Sequence, residues 1–347
     1  MRKYILVIMI MTMVGFIGCT EREQGMKSSL KTDYMMGTIV KMKVYASQPE
    51  KIIKKSFKIM DNLEQKMSLN IKGSEVKEIN KLAGQKAVKI SDATYQVIKK
   101  GLEYAKLSQG AFDPTIGPLV ELWGIGTKEA QIPTQKEIAN KLKLVDYSKL
   151  KLVPQKKKVL LTKDNMKLNL GANAKGYAAD KVVQFWKAKG VKSGFISLGG
   201  NVSVLGTKPD GSLWKVGIQD PKEPRGNVMA IVEVKGKTVV TSGNYERYFM
   251  KDGVRYHHIL NPKTGRPTRK RIISATIVTD NLSSLDADTL STTVYVLGVK
   301  KGLELINKLP GVGALVITRN NKVYMTANLK DEVKIIKKDK YKVVKNN

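Results

Sequence analysis

The chain is predicted to fold as an α+β protein with a largely antiparallel sheet and packed helices. We expect one compact body. The order of its elements is also compatible with a division of this body into two lobes. Apolar residues recur at helical spacing in a few long segments, whereas the second half carries short alternating runs separated by turns. These segments lack the regular βαβ alternation that builds a parallel sheet. The chain of 347 residues is long enough to bury a large core.

The N-terminus has the layout of a lipoprotein export signal. Two basic residues precede an apolar run over residues 4–16, and Gly18 and Cys19 end it. This run is shorter than the roughly 20 residues that span a bilayer, which favours a secretory signal over a transmembrane helix. Cys19 is the only cysteine, so an internal disulfide is excluded and acylation of its thiol is favoured. A plain secreted protein and an uncleaved anchor are the alternatives.

These features predict four segments. Residues 1–18 form the signal peptide, and residues 19–32, which are polar and without periodicity, form a lipidated tether. Residues 33–332 form the folded domain, and residues 333–347 form a basic C-terminal tail. We therefore expect the mature protein at the outer face of a bacterial cytoplasmic membrane, held through Cys19.

The net charge of +32 at pH 7 makes a nucleic-acid binder the first hypothesis to test. The basic residues are mostly lysines spread over the whole chain, without an arginine-rich stripe interleaved with aromatic residues. An exported protein also rarely meets nucleic acid. A solvated basic surface that favours anionic ligands or an anionic membrane face is the better interpretation, and no nucleic-acid partner is expected.

The individual elements follow from spacing and turn residues. Helices are predicted at residues 50–67, 93–108, 174–189 and 284–297, with a further helical segment at 303–309. Strands are predicted at residues 42–46, 194–198, 202–206, 215–218, 229–234, 238–241 and 313–318, and a hairpin-like pair at 159–170.

The segment 169–180 is a glycine-rich loop that leads into a helix. Backbone amides at such a helix start favour a phosphate group, and Lys175 adds positive charge. The spacing matches neither a Walker loop nor the GxGxxG pattern. On the residues alone, a tight strand-to-helix turn is equally consistent with it.

A carboxylate and a hydroxyl share one face of the helix predicted at 284–297. Asp288 and Thr292 are four residues apart, so their side chains emerge one turn apart. Both are hard oxygen ligands that suit Mg²⁺ or Ca²⁺. The alternative is that Asp288 caps or pairs locally and Thr292 only packs. Asp286 points to a different face.

His257 and His258 are the only histidines. In a strand, neighbouring side chains point to opposite sides, so at most one of the two faces a site. The absence of a Cys/His cluster argues against zinc, and no Ser/His/Asp signature is present.

Seven segments together resemble the ApbE family, the FAD:protein FMN transferases. They occur in one order between Tyr34 and about Lys330. The segments are Met36–Thr38, Ala111–Gly124, Asn169–Asp180, Ser197–Asn201, Thr241–Phe249, His258–Pro267 and Asp286–Gly298.

The resemblance implies an enzyme that binds FAD with Mg²⁺ at its pyrophosphate. It would transfer the FMN half to a Thr or Ser hydroxyl of an exported or membrane-associated flavoprotein and release AMP. Asp288, Thr292 and the Ala172 carbonyl would be Mg²⁺ ligands, and His258 would activate the acceptor hydroxyl. The positions implied to contact FAD are Met36, Ala111, Phe112, Asp113, Asn169, Lys175, His258 and Ile259.

The sequence departs from the family pattern at a few positions. Asn169 stands where the family usually has Asp, and Asn261 where it often does. Each residue keeps an acceptor oxygen but loses a charge, and we expect both to be tolerated. Leu69 and Asn70 replace an aromatic residue that is common after the Met-Ser pair. An FAD pyrophosphatase and a non-catalytic FAD-binding lipoprotein are the alternative functions.

Overall fold

A nine-stranded sheet organises the chain in the computed structural model, which describes residues 26–281 and 283–344. The strands are β1 (Ser28–Met35), β2 (Thr38–Tyr45), β3 (Val88–Lys89), β4 (Leu150–Val153), β5 (Lys158–Leu161), β6 (Ser193–Leu198), β7 (Asn201–Leu205), β8 (Trp214–Gln219), β9 (Val228–Val234), β10 (Thr238–Gly243), β11 (Tyr248–Lys251), β12 (Val254–His257), β13 (Ile272–Thr279), β14 (Val312–Thr318), β15 (Lys322–Met325), β16 (Val333–Ile335) and β17 (Lys342–Val343). The helices are α1 (Pro49–Met67), α2 (Glu75–Lys81), α3 (Asp92–Leu107), α4 (Gly117–Trp123), α5 (Gln135–Leu142), α6 (Ala174–Ala188), α7 (Ser284–Leu297) and α8 (Val299–Ile306).

The large sheet has the order β1-β2-β6-β7-β10-β13-β14-β15-β17. Its pairs are antiparallel except the last, in which β15 and β17 run parallel. Smaller sheets have the orders β16-β9-β8, β3-β5-β4 and β11-β12. The α+β class, the antiparallel sheet and the single body predicted from the sequence are confirmed.

The central strands are buried on both faces. Val239 and Leu315 belong to the apolar cluster formed with the β16-β9-β8 sheet. Their neighbours Val240 and Val316 belong to the cluster formed with α7 and α8. Because successive strand residues point to opposite faces, helices cover one face and the small sheet covers the other. Twelve of the fourteen residues of α7 are buried, so this helix lies in the middle of the molecule.

Most predicted elements are present, but the segment predicted at 303–309 is α8 (Val299–Ile306), several elements such as β13 were not predicted, and one assignment is wrong. Of the pair predicted at 159–170, only β5 is a strand within that range, and it pairs with β4 and β3. Residues 162–170 form no strand, although Lys167 makes an isolated bridge with Ile116. The backbone there connects to other segments, as the hydrogen bond from the Asn169 N–H to the Pro114 carbonyl shows at 2.9 Å.

Both ends of the folded body extend further than predicted. β1 begins at Ser28, inside the segment predicted as a tether, because its backbone pairs with β2 along its whole length. The predicted basic tail contributes β16, which pairs with β9, and β17. Cys19 and the signal segment lie outside the described residues. Among the residues that are described, no helix combines the length and apolar character needed to cross a membrane.

A buried carboxylate fastens the C-terminal segment. Asp220 is fully buried and lies 3.0 and 2.9 Å from the ammonium groups of Lys337 and Lys340. The Tyr341 hydroxyl donates to its other oxygen. Burial alone would raise the pKa of Asp220, but the hydrogen bonds from Tyr341 and the lysines outweigh it and hold the pKa below its usual range. The positive charges expected to be solvated in a tail are therefore partly neutralised inside the fold.

We expect Asp220→Ala to lower the free energy of unfolding by about 3 kcal/mol, because it removes a buried carboxylate that two ammonium groups and the Tyr341 hydroxyl contact, and leaves these ammonium groups only the more exposed Glu223. Tyr341→Phe removes one hydrogen bond only and should cost about 1 kcal/mol. Urea unfolding at pH 7 measures both. Since the folded-state pKa is depressed, the contribution of Asp220 is present above the unfolded pKa near 3.8 and is lost at lower pH. Equal effects of the two variants would contradict this assignment.

Candidate active site

The glycine-rich segment leads into α6, whose first turn lies directly against α7. A Cβ on Gly176 would lie 2.2 Å from the Ser284 carbonyl oxygen, so only glycine permits this approach. One turn later, the Asp180 carboxylate accepts hydrogen bonds from the backbone N–H groups of Ser284 and Leu285 at 2.7 and 3.0 Å. These contacts fix the position of α7 relative to the glycine-rich segment.

Asp288 lies within this helix contact, with only 5% of its side chain exposed. Its Oδ2 accepts a hydrogen bond from the Gly176 N–H at 3.0 Å and lies 3.5 Å from Nζ of Lys175. Burial raises the pKa of this carboxyl, although Lys175 opposes the shift. A carboxylate this deeply buried is costly unless N–H donors or cations surround it. The Gly176 N–H and the Lys175 ammonium partly offset this cost.

Thr292 lies one turn further along α7. Its Oγ1 is 3.2 Å from Oγ of Ser242 in β10, and the Ser242 hydroxyl is also 2.8 Å from that of Ser291. Asp286 is directed elsewhere, since its carboxylate lies 3.2 Å from Nζ of Lys100 and caps the helix at Ser283. The prediction that Asp286 points to a different face is confirmed.

The donors near α7 are oxygens. Among residues 26–281 and 283–344, no group of three or more Asp, Glu, His or Cys side chains is placed to hold a metal ion. The Asp288 carboxylate and the Thr292 hydroxyl are one helical turn apart on α7, and oxygen donors of this kind are the type that Mg²⁺ prefers. The residues present thus fit a hard cation and do not fit zinc.

An apolar cluster brings several predicted FAD-contact residues together. Ala111, Phe112 and Ile259 are buried in the same cluster as Leu290 of α7. Ala172 packs against this cluster. Segments separated by more than 100 residues in sequence therefore meet beside the helix that carries Asp288 and Thr292.

Asp113 and Asn169 hold loop backbone in place. Asp113 is buried and accepts hydrogen bonds from the backbone N–H and hydroxyl of Thr115 and from the Tyr147 N–H. Burial raises the pKa of Asp113 against the effect of these bonds. The Asn169 Oδ1 accepts a hydrogen bond from the Gly171 N–H at 2.9 Å. The oxygen that Asn169 retains is therefore used, consistent with tolerance of this residue in place of Asp.

The two histidines have different surroundings, as predicted. His257 is buried, with Nε2 3.0 Å from the Thr268 carbonyl oxygen and its ring edge-on to Tyr295. His258 is partly exposed, and its Nδ1 lies 3.2 Å from the Arg247 carbonyl oxygen. A carbonyl only accepts, so Nδ1 of His258 carries the proton and Nε2 keeps its lone pair. His258 is therefore in the tautomer that a general base requires.

The environment of His258 keeps its ring neutral. Enclosure by protein lowers the pKa of His258 to about 4, even though the hydrogen bond to the Arg247 carbonyl acts in the opposite direction. The positive charges of Arg247 and Lys175 lower it further. Lys175, which lies 3.5 Å from Asp288, therefore also affects the pKa of the His258 imidazole.

Arg247 connects His258 to the N-terminal hairpin. Its carbonyl accepts hydrogen bonds from the backbone and the ring of His258, and its Nη2 donates to the Gly37 carbonyl at 2.8 Å. Gly37 and Met36 both have positive φ, at 70° and 51°, as a tight turn between β1 and β2 requires. The Met36 N–H donates to Glu64 of α1. Met36, predicted to contact FAD, is thus held from two sides.

Several residues of this arrangement carried no functional assignment from the sequence. Arg247 and Ser242 lie inside the Thr241–Phe249 segment that contributed to the family resemblance, which was the one available signal. Glu64 falls within an ordinary amphipathic helix, where nothing in the local pattern marks it. The role of each depends on contacts with residues remote in sequence.

Within one α+β fold, a glycine-rich helix start thus meets a buried carboxylate, a lysine and hydroxyl groups, and backbone N–H groups at such a helix start favour phosphate groups. The ApbE family model matches residues 36–316. The chain therefore belongs to the ApbE family.

Relatives and solved structures agree. The FAD:protein FMN transferase of Treponema pallidum is 33% identical over 346 residues, which cover 95% of both chains. That of Klebsiella pneumoniae is 33% identical and covers 84% of this chain and 90% of its own. The crystal structure of the ApbE protein from Thermotoga maritima has a TM-score of 0.82 at 32% identity, covering 88% of this chain and 99% of the other. The flavin transferase ApbE from Vibrio cholerae has a TM-score of 0.79 at 26% identity with the same coverage.

Proposed function

We propose that the protein transfers the FMN moiety of FAD to a Thr or Ser hydroxyl of an exported or membrane-associated flavoprotein and releases AMP, with Mg²⁺ as cofactor. Its relatives named FAD:protein FMN transferases support the reaction class. The structural observation that best supports the proposal is the buried Asp288 carboxylate, which lies between the Gly176 N–H and Lys175.

Asp288, Thr292 and the Ala172 carbonyl would hold the Mg²⁺. When bound, the ion would neutralise charge on the phosphoryl oxygens of the substrate. Lys175 supplies a further positive charge, and the backbone amides at the start of α6 add N–H donors. The FAD-contact set is Met36, Ala111, Phe112, Asp113, Asn169, Lys175, His258 and Ile259.

The reaction needs a base for the acceptor hydroxyl. The hydroxyl oxygen forms a bond to the phosphorus on the FMN side of the pyrophosphate, and the bond from that phosphorus to the bridging oxygen breaks. AMP leaves with the bridging oxygen. The free Nε2 of His258 takes the hydroxyl proton, because a neutral imidazole hydrogen-bonded through Nδ1 is a competent base.

The proposal extends to location. An acylated Cys19 would hold the enzyme at the outer face of the cytoplasmic membrane, where its acceptors would be flavin-carrying subunits of sodium- or proton-linked redox complexes and extracellular electron-transfer lipoproteins. FAD would have to be exported to reach it. Incorporation of a radioactive fatty acid into the wild type, and its loss in Cys19→Ala, tests the anchor. Incorporation retained by Cys19→Ala would exclude it.

Incubation with FAD, MgCl₂ and an acceptor domain tests the activity. We expect one FMN to be added to a single Thr or Ser, seen by intact mass and peptide mapping, with one AMP released per transfer. AMP and free FMN formed at the same rate without an acceptor would favour an FAD pyrophosphatase. Tight flavin binding without AMP release would favour a non-catalytic FAD-binding lipoprotein.

Arg247→Met should raise the KM for FAD about tenfold, since a hydrogen bond from a charged donor contributes about 1.5–3 kcal/mol. The side chain holds the Gly37 carbonyl beside Met36, whereas His258 is held by the backbone carbonyl of residue 247, which any residue retains. We therefore expect kcat to change little. Arg225→Met, which removes an exposed arginine paired with Glu246, is the matched control. A fall in kcat with unchanged KM would contradict this role.

A further inference from the structure

A cavity of about 660 Å³ lies beside the β11–β12 hairpin, outside the proposed FAD site. His257, the chain neighbour of His258, forms part of its wall, together with Tyr256 and Trp123. Nothing in the proposed transfer reaction uses this cavity. It nevertheless adjoins the hairpin whose ends, Arg247 and His258, are hydrogen-bonded to each other.

The cavity is lined by an unusual concentration of arginine. Only nine of the 62 Lys and Arg residues of the chain are arginines, yet four of those nine line this one cavity together with one lysine. The five cationic residues are Lys222, Arg255, Arg266, Arg269 and Arg319. Because arginine presents a rigid fork of donors, it is suited to bidentate recognition of carboxylates and phosphates in a way that lysine is not.

These cations lack acidic partners. No Asp or Glu lines the cavity, and none of the five cationic residues forms an ion pair with a carboxylate in residues 26–281 and 283–344. Lys337 and Lys340 behave differently, since both pair with Asp220 and Glu223. The cavity therefore has an excess of positive charge that a general basic surface does not explain.

Apolar side chains border the charged wall. Met250 and Val254 line the cavity and remain 54% and 42% exposed, and Tyr248 of the same hairpin is 42% exposed. The Arg255 guanidinium stacks over the Tyr248 ring at 4.2 Å. Tyr, Met and Arg are the residue types enriched in protein–protein interfaces. This mixture fits a protein partner better than a free inorganic anion.

We propose that this cavity is a docking site for the acceptor protein, which inserts an acidic segment between the hairpin and the 266–269 loop. The inference rests on the proposed function, because only a transferase needs a protein acceptor. A standard interface covers about 800 Å² on each partner. An interface of that size extends beyond the cavity along the β11–β12 hairpin, whose second strand leads directly into His258.

Charge reversal tests the proposal. The triple variant Arg255→Glu, Arg269→Glu, Arg319→Glu should raise the KM for the acceptor domain at least about tenfold at low ionic strength, with kcat and the KM for FAD unchanged. Replacing the same three arginines with lysine should give an intermediate KM. The control carries the same charge change on the exposed α1 residues Lys51, Lys54 and Lys58. It should leave the acceptor KM within about twofold of the wild type.

A binding measurement separates this inference from the proposed function. A fluorescent decaglutamate peptide should bind the wild type and the α1 control alike, and binding to the arginine variant should weaken at least about tenfold. If the wild type transfers FMN but the acceptor KM of the arginine variant is unchanged, the docking site is wrong and the transferase stands. If the arginine-to-glutamate variant and the α1 control bind the peptide equally well, the proposed docking site is wrong whatever the transfer activity. Pyrophosphate binding lost in the arginine variant, without a change in acceptor KM, would assign the cavity to a phosphate ligand instead.

Discussion

Asp288→Asn is expected to reduce FMN transfer by about 10³-fold, the order of effect seen when a group that balances transition-state charge is removed. The substitution keeps the shape of the side chain and an oxygen that can accept from the Gly176 N–H. It removes the negative charge with which Asp288 would hold the proposed Mg²⁺ ion. AMP release and intact mass of the acceptor, measured over a range of MgCl₂ concentrations, report the effect.

The same variant should be more stable than the wild type at neutral pH. Burial raises the folded-state pKa of Asp288 above its unfolded value, so the ionised carboxylate opposes folding once the pH exceeds the unfolded pKa. Asn removes this cost. A higher Tm with a lost activity would mark Asp288 as a residue retained for function at the expense of stability.

Asp286→Asn is the matched control, two residues away on the same helix. Asp286 caps α7 through Ser283 and pairs with Lys100. Its replacement should lower the Tm and leave transfer per folded molecule nearly unchanged. If Asp288→Asn retained wild-type transfer, or if both variants lost it equally, the metal assignment would fail.

Local pattern predicted the long amphipathic helices and the strands β6 to β10, because their apolar spacing is a local feature, but it did not predict α2, α4, α5 or the central strand β13. The apolar spacing in α1 and α7 gives their boundaries within a residue or two, and short alternating runs locate β6 to β10. The segment 162–170 was wrongly assigned to a strand. Its backbone is held by long-range bonds, such as those between Leu168 and Asn80, which no local pattern encodes.

In the candidate site too, local features were predicted from the sequence and long-range contacts were not. The i, i+4 spacing of Asp288 and Thr292 is a local feature, and it predicted that the two residues share a face. The contact between Gly176 and Asp288 joins residues 112 positions apart, and the bond from Arg247 to Gly37 spans 210 positions. Such contacts depend on how α6 packs on α7 and how the sheet orders its strands. Residue type and spacing alone do not determine them.

His258→Gln is expected to reduce transfer by about 10²–10⁴-fold, the contribution typical of a general base. FAD binding should be retained, since the amide fills a similar volume and can still donate to the Arg247 carbonyl. Equilibrium titration with FAD separates the two effects. Loss of FAD affinity together with transfer would make His258 a binding residue.

The pH dependence of the wild type gives an independent test. The pKa of His258 is lowered to about 4, so its neutral, base-competent form predominates down to pH 5 and is lost as the pH falls through 4. We expect kcat/KM for the acceptor to stay level from neutral pH to about pH 5 and then to decrease. A midpoint near 6.5 would show that the imidazole is not shielded in solution and would contradict this environment.

His257→Gln is the control, because the pKa of both histidines is lowered but only His258 is the proposed base. The pKa of His257 is also lowered to about 4, chiefly by burial, so its neutral form is favoured by the fold. The stability that this group contributes is complete above the unfolded pKa near 6.5 and falls as the pH drops from there to 4. In His257→Gln, the free energy of unfolding should therefore decrease less steeply between pH 6.5 and pH 4 than in the wild type. The decrease in the transfer rate at low pH should remain. In His258→Gln, the small residual transfer rate should no longer decrease at low pH. A pH dependence of transfer that is lost in His258→Gln but kept in His257→Gln assigns the base to His258.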